Sequence, residues 1–308
     1  MKKSLVAATL LLVIAACAQN TTSTTTTTAA DAHAGHQMPA STSTSAPSSV
    51  SQNWAKQKVD ASPRHHEWVN LKNGARTVSA FVVYPEVRAK APAVVVIHEI
   101  FGMSDWVQML ADEVAEAGYI AIAPDLLSGM GPNGGGTSSF ADGSAIGKAI
   151  RDLPPDQITR DLNAAADYVA KLPAANGKVA VTGFCWGGTQ SFRFATNRPS
   201  LSAAYVFYGT GPETPEAIEK IKAPVYGFYA GNDARIGATL PKMIEMMKAA
   251  GKTFEPVTYE GAGHGFMRAG ETPPPPADAD QKIRDAYAGN RKARDEAWAR
   301  WKGLLKKM

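Results

Sequence analysis

Cys185 lies in Val179-Ala-Val-Thr-Gly-Phe-Cys-Trp-Gly-Gly188, a Val-rich run that breaks at Gly183-Phe184-Cys185-Trp186-Gly187 and continues in a helical pattern from Gly188. This is the G-x-S-x-G arrangement with a thiol in place of the hydroxyl, a sharp strand-to-helix turn that exposes a nucleophile. The backbone at such a turn is strained, and glycines two before and two after relieve the crowding. The helix N-terminus beneath the sulfur favours a thiolate and offers N–H groups to an oxyanion. The chemistry that fits is attack on an acyl carbon with formation of a thioester.

A nucleophile of this kind needs a base, and the base needs an orienting acid. Asp233 follows the apolar run Val225-Tyr-Gly-Phe-Tyr229, in Ala230-Gly-Asn-Asp233. His264 follows Phe254-Glu-Pro-Val-Thr-Tyr259, in Gly261-Ala-Gly-His-Gly-Phe266. Taken singly, Asp233 could be a turn former and His264 a loop residue. Nucleophile, acid and histidine in that order, each after its own strand, match the chain order of α/β-hydrolases. Residues in loops at the carboxyl ends of strands are where open α/β sheets bind ligands.

The elements that must position these residues are legible as alternating patterns. Residues 81–85, 93–97, 119–123, 179–182, 204–208, 225–229 and 254–259 read as strands, several of them continuous Val/Ile-rich runs suited to a sheet buried on both faces. Helical patterns cover 105–117, 155–172, 240–250 and 278–308, with Gly251 placed to cap the third. The expectation is an α/β-hydrolase fold: one domain over 53–308, a doubly wound, mostly parallel sheet with helices on both faces. Two excursions interrupt the alternation, the glycine-rich 128–143 and the segment 271–277 with its run Pro273–Pro276.

From about Ala93 to Leu305 the chain resembles the dienelactone hydrolase (carboxymethylenebutenolidase) family. The resemblance rests on Ile97-His-Glu-Ile-Phe-Gly102, Ala123-Pro-Asp-Leu126, Gly183-Phe-Cys-Trp-Gly-Gly188, His264-Gly-Phe266 and the closing Glu296-Ala-Trp-Ala-Arg-Trp301. It implies a carboxylic ester or lactone hydrolase with Cys185 as nucleophile, His264 as base and Asp233 as its orienter. It further implies that Glu99 holds the resting thiol, which a nearby carboxylate would keep neutral. Backbone N–H groups of Ile100 and Trp186 would form the oxyanion hole, and Arg268 would contact a substrate carboxylate. The family's enzymes of chloroaromatic breakdown carry a second arginine after the Pro-Asp-Leu turn. Here Leu126-Leu-Ser-Gly-Met-Gly131 contains none, which argues against a dienelactone carboxylate as the substrate.

The beginning of the chain reads differently. Lys2 and Lys3 precede the apolar stretch Leu5–Ala16, which is too short to span a bilayer and ends Ala15-Ala16-Cys17. This resembles a bacterial lipoprotein signal with Cys17 as the lipidated residue. The expected location is the cell envelope or periplasm, with a membrane contact through the lipid. Residues 17–52, rich in Thr, Ser, Ala and Pro, read as a disordered tether in which His33, His36 and Met38 are solvated. Removing residues 1–16 would take two lysines and no acid from a net charge of +4, leaving no basic surplus for a nucleic-acid partner. Neither cofactor nor metal is expected, and the oligomeric state is open. Two readings compete with hydrolysis: a redox-active thiol, which lacks a resolving partner if Cys17 is lipidated, and a ligand-binding shell with a degenerate site.

Overall fold

The computed structural model describes residues 49–270 and 273–308, with side chains from Trp54 onward. Cys17, the apolar stretch before it, His33, His36 and Met38 lie outside the described residues. The first described element is helix α1 (Ser49–Asp60), so the last four residues expected in the tether are helical.

Strands β1 (His66–Asn73) and β2 (Arg76–Val83) form an antiparallel hairpin, closed at Gly74 with φ 60°. The chain continues through β3 (Ala91–Ile97), α2 (Asp105–Glu116), β4 (Ile120–Pro124), α3 (Gly143–Arg151), α4 (Pro155–Ala170), β5 (Ala175–Phe184) and α5 (Trp186–Asn197). It ends with β6 (Ala204–Phe207), α6 (Pro215–Glu219), β7 (Val225–Ala230), α7 (Ala234–Gly237), α8 (Leu240–Ala249), β8 (Phe254–Tyr259) and α9 (Gln281–Leu305). The eight strands pair in the order β1-β2-β4-β3-β5-β6-β7-β8, parallel from β4 to β8. This is the doubly wound α/β-hydrolase arrangement expected from the alternation.

The pleat explains why β3, in the middle of the sheet, is apolar throughout. Ala93, Val95 and Ile97 of β3 enter the core on one face with Ile158, Leu162 and Phe192. Val94 and Val96 enter the other with Trp106, Leu110 and Trp301. Successive side chains point to opposite faces, so a strand covered on both sides cannot alternate with polar residues.

Besides α1 and the short helices α6 and α7, two elements escaped the sequence pattern for physical reasons. β1 is an edge strand in which only Leu71 is fully buried, and its Glu and Lys residues suit an exposed edge better than an apolar run would. α3 begins at the end of the glycine-rich stretch, and Gly143 and Gly147 obscure its periodicity. Its start is nevertheless capped: Asp142 Oδ1 accepts from Ala145 N at 2.9 Å. The same stretch is pinned to the sheet by buried Asp125. Its carboxylate accepts from Leu127 N (3.0 Å), Thr137 N (2.8 Å) and Thr137 Oγ1 (2.7 Å). Thr137 Oγ1 in turn accepts from Met103 N at 3.1 Å, which fixes the loop that follows β3. Among the described residues no helix is long and apolar enough to cross a membrane.

Candidate active site

β5 and α5 meet at Cys185, whose φ of 56° and ψ of −118° are unusual for a residue with a Cβ. The flanking glycines are sterically required. A Cβ on Gly183 would lie 1.9 Å from Gly187 O, and one on Gly187 would lie 2.3 Å from His98 O. The turn is held by Cys185 N donating to Phe207 O at 3.1 Å. Backbone N–H groups of Trp186 and Ile100 lie in the neighbourhood of the sulfur and favour its charged form. Both amides are braced by His98, which is fully buried and stacks on Trp186 at 5.6 Å. Burial keeps His98 neutral against the pull of Asp125, so its Nδ1–H donates to Glu99 O at 2.9 Å.

Burial raises the Cys185 thiol to about 11, and the negative charge of Glu99 adds to the rise. The amides of Trp186 and Ile100 and the positive charge of Arg235 act in the opposite direction but do not prevail. The thiol is therefore protonated at neutral pH. Alkylation of Cys185 by iodoacetamide is expected to be slow at pH 7 and to rise through an apparent pKa near 11; Glu99→Gln is expected to lower that value. An alkylation profile centred near 8.5, that of an ordinary thiol, would show that the sulfur is neither buried nor near a carboxylate.

The acid and the histidine stand on two neighbouring loops tied together by backbone. Gly231 N donates to Tyr259 O (2.9 Å) and Asn232 N to Ala262 O (2.8 Å). Asp233 Oδ1 caps α7 through Ile236 N at 3.3 Å, leaving Oδ2 to accept from His264 Nδ1 at 2.5 Å. Because a carboxylate only accepts, that contact places a proton on Nδ1 and frees Nε2 as a base. The two side chains differ in access: Asp233 is 7% exposed and His264 33%.

Tyr208 connects the two halves of the site. It follows β6 with φ 40°, is fully buried, and meets His264 edge-on at 5.0 Å. Its hydroxyl donates to Glu99 Oε1 at 3.4 Å. Glu99 Oε2 accepts from Arg268 Nη1 at 2.9 Å, and the guanidinium lies 5.5 Å from the Phe101 ring and 5.0 Å from the Trp106 ring. Arg268 is thus packed against a buried protein carboxylate, at 16% and 3% exposure for the pair, where the sequence led us to expect a cation facing substrate.

All the expected residues of the folded part stand at the carboxyl edge of the sheet: Cys185 after β5, Asp233 after β7, His264 and Arg268 after β8, Glu99 and Ile100 after β3. Tyr208, His98 and Arg235 were not anticipated. Tyr208 had the same signal as Asp233 and His264, a position directly after a buried strand, but an aromatic residue there reads as core.

A family model for dienelactone hydrolases matches residues 78–308. A Methylorubrum extorquens protein provisionally named carboxymethylenebutenolidase is 30% identical over 225 residues, covering 68% of this chain and 76% of that one. A similarly named Saccharolobus solfataricus protein is 31% identical over 267 residues, covering 77% and 96%. Among solved structures, a provisionally assigned dienelactone hydrolase from Klebsiella pneumoniae superposes with a TM-score of 0.65 at 25% identity, covering 80% of this chain and 99% of that one. An esterase of Pyrobaculum calidifontis, at 17% identity and a TM-score of 0.56, covers 84% of this chain and 91% of its own and shares the fold.

Proposed function

The chain belongs to the dienelactone hydrolase family and is an ester or lactone hydrolase; from that premise we propose that it works through a thioester on Cys185, with His264 as base and Asp233 as its orienter. The observation that carries this reading is the sulfur on a strained turn, beside backbone N–H groups of Trp186 and Ile100 that favour its charged form. With an ester carbonyl at that point, His264 Nε2 takes the thiol proton and the sulfur bonds to the carbonyl carbon. The oxyanion is held by the Ile100 and Trp186 amides. Collapse expels the alkoxide, which takes the proton back from the imidazolium. Water, deprotonated by the same nitrogen, then attacks the thioester and releases the acid and the thiol. Asp233 keeps His264 in the tautomer this needs and stabilises its charged form. Glu99 keeps the resting thiol protonated until substrate arrives. Arg268 takes a substrate carboxylate as a further partner beside Glu99, since a guanidinium has five donors.

Turnover of a panel of esters, lactones and a dienelactone by the purified protein tests the reading, together with intact mass after acid quench. A labile acyl adduct on Cys185 is the expected result. Turnover without any adduct, and undiminished in Cys185→Ala, would overturn it.

The N-terminal segment supports a further part of the proposal: Cys17 is lipidated and the hydrolase is tethered in the cell envelope. Cys17→Ser is expected to release the protein from the membrane fraction with kcat unchanged. Equal membrane association of variant and wild type would refute the anchor.

A further inference from the structure

A trough of about 330 Å³ lies between the loop after β6 and the segment joining α7 to α8. Its floor is apolar, made of Met243, which is buried, and Met246, which is half-buried. Gly211 leaves Met243 room, since a Cβ there would lie 2.5 Å from Met243 Cε. Charge is confined to the exposed rim, Glu213 on one side and Lys242 on the other. Flexible thioethers make a surface that adapts to a slender apolar ligand.

Both walls extend from segments that carry the reactive site. Thr189 is one turn past Cys185, its N–H donating to Cys185 O at 3.2 Å, and its Oγ1 accepts from Thr210 N at 2.9 Å. Thr210 lines the trough. On the other side, α7 starts next to Asp233, carries Arg235 in the electrostatic neighbourhood of the Cys185 sulfur, and leads into Ala238, a wall residue. Three residues of helix span only about 5 Å. The trough is thus walled by segments that also carry Cys185 and Asp233, and a chain extended from the sulfur would follow them into it.

We infer that this trough takes an unbranched apolar chain of the ester, and that Met243, Met246 and Ala238 set the preferred chain length. The inference rests on the hydrolase reading and adds a substrate class to it: esters with a linear alkyl arm. The arm is either the acyl chain or the alkoxy chain, and two substrate series distinguish them.

The test measures kcat/KM for p-nitrophenyl alkanoates of increasing acyl length and for alkyl acetates of increasing alkoxy length. Burial of one methylene is expected to raise kcat/KM about fourfold per carbon in one series, up to about six carbons in a site this small. Ala238→Phe or Met246→Trp should flatten that rise and leave kcat/KM for the shortest member of the series within about threefold of wild type, as a short ester makes no contact there. Flat profiles in both series, or a rise that neither variant alters, would overturn the inference while leaving hydrolysis intact. Calorimetric binding of n-hexanol needs no turnover: if no ester is hydrolysed, binding weakened by Ala238→Phe still supports the trough, and binding that is absent or unchanged in the variant refutes it.

Discussion

Replacing Cys185 by Ala is expected to lower kcat on any ester the protein hydrolyses by about 10⁴-fold or more, and His264→Ala by a similar factor. The two effects should not multiply in the double variant, because nucleophile and base act as one unit and the second loss removes nothing further. Asp233→Asn is expected to cost somewhat less, on the order of 10³-fold to 10⁴-fold. Asp233 Oδ2 accepts from His264 Nδ1 at 2.5 Å, and an amide nitrogen turned to that position would donate and favour the tautomer whose Nε2 already carries the proton. Asp233 also caps α7 through Ile236 N, a bond that Asn retains, so the fold should survive. Unfolding midpoints of the three variants check this point. Residual turnover within tenfold of wild type in Cys185→Ala would place the nucleophile elsewhere; additive losses in the double variant would mean that the two residues do not act together.

Arg268→Ala is expected to destabilise the protein by about 3–5 kcal/mol, because it leaves the Glu99 carboxylate buried without its cation. Among the described residues Glu99 then keeps the 3.4 Å bond from Tyr208, and its 3% exposure offers little hydration in exchange. Denaturant unfolding measures the loss. A double variant, Glu99→Gln with Arg268→Met, is expected to recover most of it, since neither charge is then buried; a double variant as unstable as Arg268→Ala would mean that packing against Trp106 and Phe101 is what matters. The same variant is expected to separate two substrates. KM for an acidic ester should rise in Arg268→Ala, while that for a matched neutral ester should not. The difference is expected to stay within about tenfold, or 1.4 kcal/mol, as the guanidinium already has a carboxylate partner in the resting protein. Equal losses on both substrates would remove Arg268 from substrate recognition.

The residues that could do chemistry were legible because their signals are local. A Val-rich strand ending in Gly-Phe-Cys-Trp-Gly specifies its own turn, since only glycine tolerates the approach of Gly187 O to residue 183. The central strands β3, β4 and β6 were equally plain, as burial on both faces favours apolar residues along their length. β1 and α3 were not, one because an edge strand needs few apolar residues, the other because two glycines blur a nine-residue helix. The sequence left opposing pulls on the thiol: a helix N-terminus argues for thiolate, and the carboxylate that the family resemblance sets beside it argues for thiol. Burial, which only the packed structure supplies, is the larger effect and gives the thiol. Arg268 likewise looked free to meet a substrate until the fold set it against Glu99, 169 residues away in the chain. Sequence determines what a strand's last residue can do; which residue it faces depends on the order in which strands pair, because a charge finds its partner through space and not along the chain.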